Sequence, residues 1–255
     1  MNQGHVLSQI SDGVCTISFF HPAHNSLPAY LLRELSIKIE QAGHSPDVHL
    51  IVLRSEGEKT FCAGASFDEL VRIENESQGL EFFSGFARVI NSMRKCPKII
   101  VARVHGRAIG GGVGLAAAAD YALSCDWGTI RLSELAVGIG PFVIGPVVQR
   151  KIGISAFTQL SLTPADWQTA EWAKSKGLYQ EVFENVEKLD NYLWHFINQL
   201  KGYNPEALSE LKKIFWEGTE DWDSLLTNRA AISGRLILSP FSKNEIARFK
   251  QKSNS

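Results

Sequence analysis

Three consecutive glycines, Gly110, Gly111 and Gly112, are the first residues whose type and spacing point to chemistry. They follow an apolar run, Ile99 to Val104, and precede Leu115 and four alanines, Ala116 to Ala119. That order reads as a buried strand, a glycine turn and a helix of small residues. A bare turn feeding a helix N-terminus presents free backbone N–H groups and the positive end of the helix dipole. Such a turn can hold a phosphate, a dinucleotide or a developing oxyanion.

The neighbouring residues sort these chemistries. No G-K-[ST] follows the glycines, which excludes a P-loop. Gly112-Val113-Gly114-Leu115-Ala116-Ala117 matches the dinucleotide pattern G-x-G-x-x-A, with Glu134 twenty residues beyond Gly114. Its place weighs against it, because that fingerprint opens its domain and about a hundred residues precede it here. Gly64-Ala65-Ser66-Phe67-Asp68 fails as a nucleophile elbow, since Asp68 lacks the freedom of the final glycine. His21 and His24 read as a loop pair, His105 as a structural residue and Cys62 as small packing. No H-E-x-x-H or paired-cysteine spacing is present, so no metal site is expected. An oxyanion hole remains. It needs two N–H donors from two loops and a nearby acid or base. Gly111 supplies one donor, Cys62-Ala63-Gly64-Ala65 is the second small-residue loop, and Glu134 is the candidate carboxylate.

The elements that must carry these loops follow from periodicity. His5 to Ile10 and Val14 to Phe20 read as strands around the turn Ser11-Asp12-Gly13. Ser26 and Pro28 read as a helix start, with Leu31, Leu32, Leu35 and Ile39 on one face and Gly43 at its end. Val48 to Leu53 is a strand and Gly57 to Gly64 a turn-rich loop. A helix over 77–93, with Leu80, Phe83, Phe86, Ile90 and Met93 on one face, stops before Pro97, and Lys98 to Val104 is the next strand. Alternating strands and helices predict an α/β architecture with parallel pairing. Thr163 to Asp166 reads as a further helix start and Tyr179 to Phe183 as a short strand. Helices over 187–201, 205–216 and 222–236 follow, then a last one after Ser239-Pro240. Residues 1–190 read as the α/β core and 191–255 as a helical subdomain, with no flexible linker between them. The basic tail, Lys243, Arg248, Lys250 and Lys252, reads as a solvated helix face.

Composition bounds the function. The chain has 255 residues and a net charge of −1, which gives no overall pull toward nucleic acid or anionic membrane. Four scattered cysteines fit a reducing, cytoplasmic setting. No apolar run follows a basic stretch near the start, and none is long enough for a membrane span, so neither a signal peptide nor a membrane helix is expected.

Taken together, the two loops resemble the crotonase superfamily, the enoyl-CoA hydratases and isomerases. The stretches that carry the resemblance are Phe61-Cys62-Ala63-Gly64-Ala65, Gly106-x-x-x-Gly110-Gly111-Gly112, Asp120, and Ser133-Glu134-x-x-x-Gly138. Weaker matches run from His21-Pro22 to Leu27, from Thr163-Pro164 through Gly177-Leu178, and at Ser239-Pro240, so nearly the whole chain is covered. The resemblance implies a spiral of β-β-α turns followed by a helical oligomerisation region, a homotrimer or dimer of trimers. It implies an acyl-CoA substrate, with coenzyme A arriving as part of that substrate and no separate cofactor. It assigns the Ala65 and Gly111 amides to the oxyanion hole and Glu134 to acid/base work. It places Ala63, Gly64, Ser66, Phe67 and Gly110 along the CoA and acyl site. Three departures matter. Ser66 stands where the family usually has an aspartate after Gly-Ala. Gly114 stands where two-glutamate hydratases carry their other acid, and Phe142 replaces a glycine, where its ring narrows the acyl pocket. One glutamate fits double-bond isomerisation (Δ3 to Δ2) as well as hydration, including hydration of branched, methylglutaconyl-like substrates. A non-catalytic acyl-CoA-binding homologue is the alternative of a different class.

Overall fold

In a computed structural model the protein is described over residues 4–253, with side chains through 248. Its first half runs β1 (His5–Ser11), β2 (Val14–Phe20), α1 (Ala29–His44), β3 (Leu50–Ser55), β4 (Thr60–Cys62), α2 (Phe67–Leu70), α3 (Glu76–Lys95), β5 (Ile99–Val104), β6 (Arg107–Ile109) and α4 (Gly111–Ala118). The second half runs β7 (Tyr121–Cys125), β8 (Ile130–Arg131), a 3-10 turn (Glu134–Val137), α5 (Gly145–Leu162), α6 (Ala170–Ser175), β9 (Glu181–Phe183), α7 (Val186–Lys201), α8 (Pro205–Phe215), α9 (Trp222–Leu236) and α10 (Pro240–Ser253).

Among the described residues these strands form two sheets. The larger has the order β1-β2-β3-β5-β7-β9 and is parallel apart from the β1–β2 hairpin. The smaller, β4-β6-β8, is parallel throughout. Each of β3, β5 and β7 in the large sheet is followed by one strand of the small sheet, which is the β-β-α spiral. The apolar run of β5 has no alternation because both faces of the sheet are covered. Ile100, Ala102 and Val104 face α1, α3 and α4, while Ile99 and Val101 join Leu189, Leu193 and Ile197 of α7.

The helical part is packed onto this core. The boundary expected at 190 falls inside α7, whose buried face covers the large sheet. Helix α9 runs against α3, with a Cβ on Gly79 reaching 2.6 Å from Gly234 Cα. Helix α10 closes over the 3-10 turn, where Ile246 clusters with Ile139 and Leu70. On this helix Arg248 pairs with Glu245, and the side chains of Lys250 and Lys252 lie outside the described residues. No helix among the described residues is long and apolar enough to cross a membrane.

Several local expectations are corrected. Ser26 does not cap α1. Pro28 holds the cap position without a side-chain bond, and Ser26 Oγ instead lies 3.3 Å from His21 Nδ1. Gly43 is inside α1, pressed against Cys96 and Pro97, and the helix ends at His44 with Ser45 as its C-cap. The loop over 57–64 contains β4. Thr163 closes α5 rather than opening a helix, and the next one starts after Thr169, whose side chain accepts from Trp172 N–H at 3.0 Å.

Asp120, one of the matched positions, is a structural staple. Its carboxylate accepts from Ile100 N at 2.7 Å and Trp216 Nε1 at 3.0 Å, and pairs with Lys212 Nζ at 2.9 Å. Both charges are almost fully buried, with side chains 2 % and 3 % exposed. Removing one partner of such a pair leaves the other charged and unpaired, which costs about 3–5 kcal/mol. Lys212→Ala is therefore expected to lower unfolding stability by that amount in denaturant titration. The joint Asp120→Asn, Lys212→Met variant is expected to lose much less.

Candidate active site

The small sheet positions the site. Its three strands pair in parallel, with Cys62 beside Ala108 after a register shift in β4 and Ile109 beside Arg131. Their C-terminal ends therefore release three loops at one place: Ala63 to Ala65, Gly110-Gly111, and Leu132 to Glu134. Ligands in parallel α/β sheets gather at those strand ends. The loops are tied together by Gly110 N donating to Arg131 O at 2.9 Å.

Two amides are left without an internal partner by this geometry. Gly111 is the first residue of α4, so its N–H has no intrahelical acceptor. Leu27 N donates to Gly64 O at 2.8 Å and Leu27 O accepts from Ser66 N at 3.3 Å. The residue between them, Ala65, then turns its own N–H to the edge away from Leu27. The two loops meet closely enough that a Cβ on Gly64 would stand 3.4 Å from Gly111 N.

Glu134 opens the 3-10 turn and lays its carboxylate against bare backbone. A Cβ on Gly110 would stand 2.9 Å from Glu134 Oε1, and Gly110 has φ +52°, so glycine answers both demands. The residue is half-buried, but its Oε2 is shielded from solvent and accepts no hydrogen bond. Burial pushes its pKa up to about 7, only partly opposed by its own backbone N–H. A carboxyl group poised there can take up and return a proton near neutral pH.

These residues surround a cavity of about 210 Å³. Ala63, Gly64, Ala65, Phe67, Gly110, Gly111, Glu134 and Phe142 all line it. Ser66 does not. It is buried as the cap of α2, where its Oγ accepts from Glu69 N at 3.4 Å. The rest of the wall is largely apolar and includes Leu70, Phe82, Phe83, Phe86, Ile139 and Ile144. Phe83 and Phe86 were on the apolar face read from the sequence. Phe82 was not, and the double aromatic 82–83 on a helix was the available signal. Ile144 and Ser233 carried no local signal, since only tertiary packing brings them here.

Gly114 is not part of the wall. A Cβ there would stand 2.5 Å from Ile144 Cγ2 and 2.9 Å from Ile144 Cβ. Ile144 thus stands between the position of the missing acid and the cavity. The residues set aside on sequence grounds stay outside the chemistry. Cys62 is fully buried with its thiol pKa pushed up to about 12 by burial. His105 is also buried, outside the cavity, and is pushed down to about 4 by burial and by Arg103 and Arg54.

Residues 9–253 match the family model described as enoyl-CoA hydratase/isomerase. The chain belongs to the enoyl-CoA hydratase/isomerase family, within the crotonase superfamily. Among relatives of this family, the putative enoyl-CoA hydratase/isomerase YngF of Bacillus subtilis is 32% identical over 161 residues. That match covers 63% of this chain and 61% of YngF, so it spans less than two thirds of that relative's length. A peroxisomal Delta(3,5)-Delta(2,4)-dienoyl-CoA isomerase of Arabidopsis thaliana is 27% identical over 224 residues, covering 80% of this chain and 79% of its own. The crystal structure of an enoyl-CoA hydratase from Bacillus halodurans superposes with a TM-score of 0.88 at 22% identity, over 95% of this chain and 99% of that one. This last likeness concerns the fold, and it matches the crotonase spiral with its helical C-terminal part.

Proposed function

We propose that this family member shifts a double bond within an enoyl-CoA thioester from C3 to C2, using Glu134 as the single proton carrier. The observation that carries the reading is the composition of the cavity wall. Among its lining residues Glu134 is the one ionisable group, and the only other polar side chains are Ser133 and Ser233. Hydration by paired acids needs a second group to orient and deprotonate water. Ile144 fills the approach from Gly114, where that group would be.

The chemistry needs no more than these parts. The thioester carbonyl accepts from the Ala65 and Gly111 amides. The Glu134 carboxylate removes a proton from C2, and the electron pair moves into the carbonyl and along the conjugated system. The dienolate oxygen is held by two preorganised donors, each worth about 10²–10³ in rate. Glu134 then returns its proton at C4, giving the 2-enoyl thioester with no net change in composition. The apolar wall keeps water away and sustains the raised carboxyl pKa.

The test offers 2-enoyl and 3-enoyl thioesters of CoA separately in ¹⁸O-labelled water and reads products by mass spectrometry. The expected result is conversion of the 3-enoyl substrate without gain of mass. Rapid formation of an ¹⁸O-labelled 3-hydroxyacyl product from the 2-enoyl substrate would replace this reading with hydration. The trimeric assembly implied by the resemblance belongs to the same proposal. The exposed Ile214, Phe215 and Phe241 of the helical part support it.

A further inference from the structure

The ring of Phe142 is a wall of two cavities. On one side lies the cavity of about 210 Å³ that holds Glu134. On the other lies a larger one of about 630 Å³, bounded by α5, α9 and Leu135. The lining residues common to both are Gly140, Pro141 and Phe142. Of these, only Phe142 has a long side chain, so its ring is the substance of the partition. The ring is firmly seated. It lies flat against bare Gly140, where a Cβ would stand 2.7–2.9 Å from three ring atoms, and the backbone beneath is held by Phe142 N donating to Gly140 O at 2.7 Å. Phe157, Leu162, Trp222 and Leu225 give the outer cavity an apolar wall for an alkyl chain, while Gln149, Arg150, Ser161 and Arg229 line its polar side.

We propose that Phe142 sets the acyl-length limit of this protein, closing off the outer cavity as a latent second compartment of the acyl site. The inference rests on the acyl-CoA reading above and adds a specificity residue to it. A cavity of about 150 Å³ admits benzene, so the inner compartment takes an acyl group of roughly six carbons. Longer chains meet the Phe142 ring. Removing the ring joins the two cavities and lets a chain run along the apolar wall of the outer one.

The experiment is a calorimetric ladder of saturated acyl-CoAs, from butanoyl to tetradecanoyl, against wild type, Phe142→Ala and Phe142→Leu. Each buried methylene adds about fourfold in affinity, so the slope against chain length reads how far the chain stays buried. The wild-type slope is expected to flatten near six carbons. The Phe142→Ala slope is expected to continue to about twelve, with Phe142→Leu between them. Thermal unfolding accompanies the ladder, and Phe142→Leu, which keeps most of the apolar volume, carries the test if Phe142→Ala does not fold. A wild-type slope that climbs unbroken to twelve carbons overturns the proposal, as does the same break point in all three proteins. Saturated thioesters have no double bond to shift, so the ladder is separate from turnover. A broken wild-type ladder with no enoyl turnover leaves the partition standing and removes the proposed reaction. No binding at any length removes both.

Discussion

Glu134→Gln is expected to lose about 10²–10⁴-fold in turnover of enoyl thioesters while gaining thermal stability above neutral pH. Both effects come from one feature, a carboxyl group held against Gly110 with Oε2 shielded and unpaired. For activity the base must be ionised. With its pKa pushed up to about 7, wild-type kcat/KM rises about tenfold per pH unit below that value and levels off above it. For stability the direction is opposite. The unfolded chain ionises this carboxyl near 4.5, while the fold keeps it protonated to about 7. Below about 4.5 both states hold the proton, and the residue costs nothing. From there to 7 the unfolded state loses its proton first and stability falls. Above 7 the whole cost, about 3 kcal/mol, is in place. Glutamine has no such proton to lose. The variant should therefore unfold at a higher temperature than wild type at pH 8 and close to the wild-type temperature at pH 4.5. A purely structural Glu134 would make the variant weaker at every pH.

The second large effect concerns the pair Gly114 and Ile144. Gly114→Glu alone is expected to destabilise by more than about 4 kcal/mol. Its Cβ would sit 2.5 Å from Ile144 Cγ2. Overpacking of this kind costs about 1–3 kcal/mol, and an unpaired carboxylate among apolar groups adds several more. Adding Ile144→Gly removes the obstructing side chain and opens a path from position 114 to the cavity. The double variant is expected to recover a large part of the lost stability, because the two positions touch and their effects are not additive. It is also expected to hydrate 2-enoyl-CoA at least about tenfold faster than wild type, since a second acid then faces Glu134 across the cavity. Denaturant titration and the loss of enoyl-thioester absorbance read the two effects. If Gly114→Glu alone were as stable as wild type, Ile144 would not be blocking that position.

How much of this was legible in the sequence depends on how local each feature is. The β5 run, the glycine triplet that opens α4 and the apolar faces of α1 and α3 are local patterns, and they place those elements to within a few residues. The strands of the small sheet are two or three residues long, too short to show alternation, so β4 was absorbed into a loop. The loops that these strands deliver were nevertheless visible, because runs of Gly and Ala are rare signals. Thr163 carried a good cap signature that the structure overrides, because α5 kinks at Gly153, where φ is +75°, and runs on to Leu162. The resemblance puts Ser66 on the ligand side, whereas the local turn uses its hydroxyl to cap α2. The absence of an acid at Gly114 was readable. That Ile144 closes the gap was not, since thirty residues and a turn separate the two positions. The raised pKa of Glu134 likewise depends on walls contributed by several distant elements.

The most direct test of the proposed proton transfer follows a 3-enoyl-CoA in D₂O by NMR. With wild type, the double bond should move to C2, with any deuterium that enters confined to C2 and C4 and no hydroxyl-bearing carbon appearing. Glu134→Gln should show neither the shift nor the exchange above the solvent background. A 3-hydroxyacyl product as the main species, or C2 exchange undiminished in Glu134→Gln, would contradict the assignment of Glu134 as the single proton carrier.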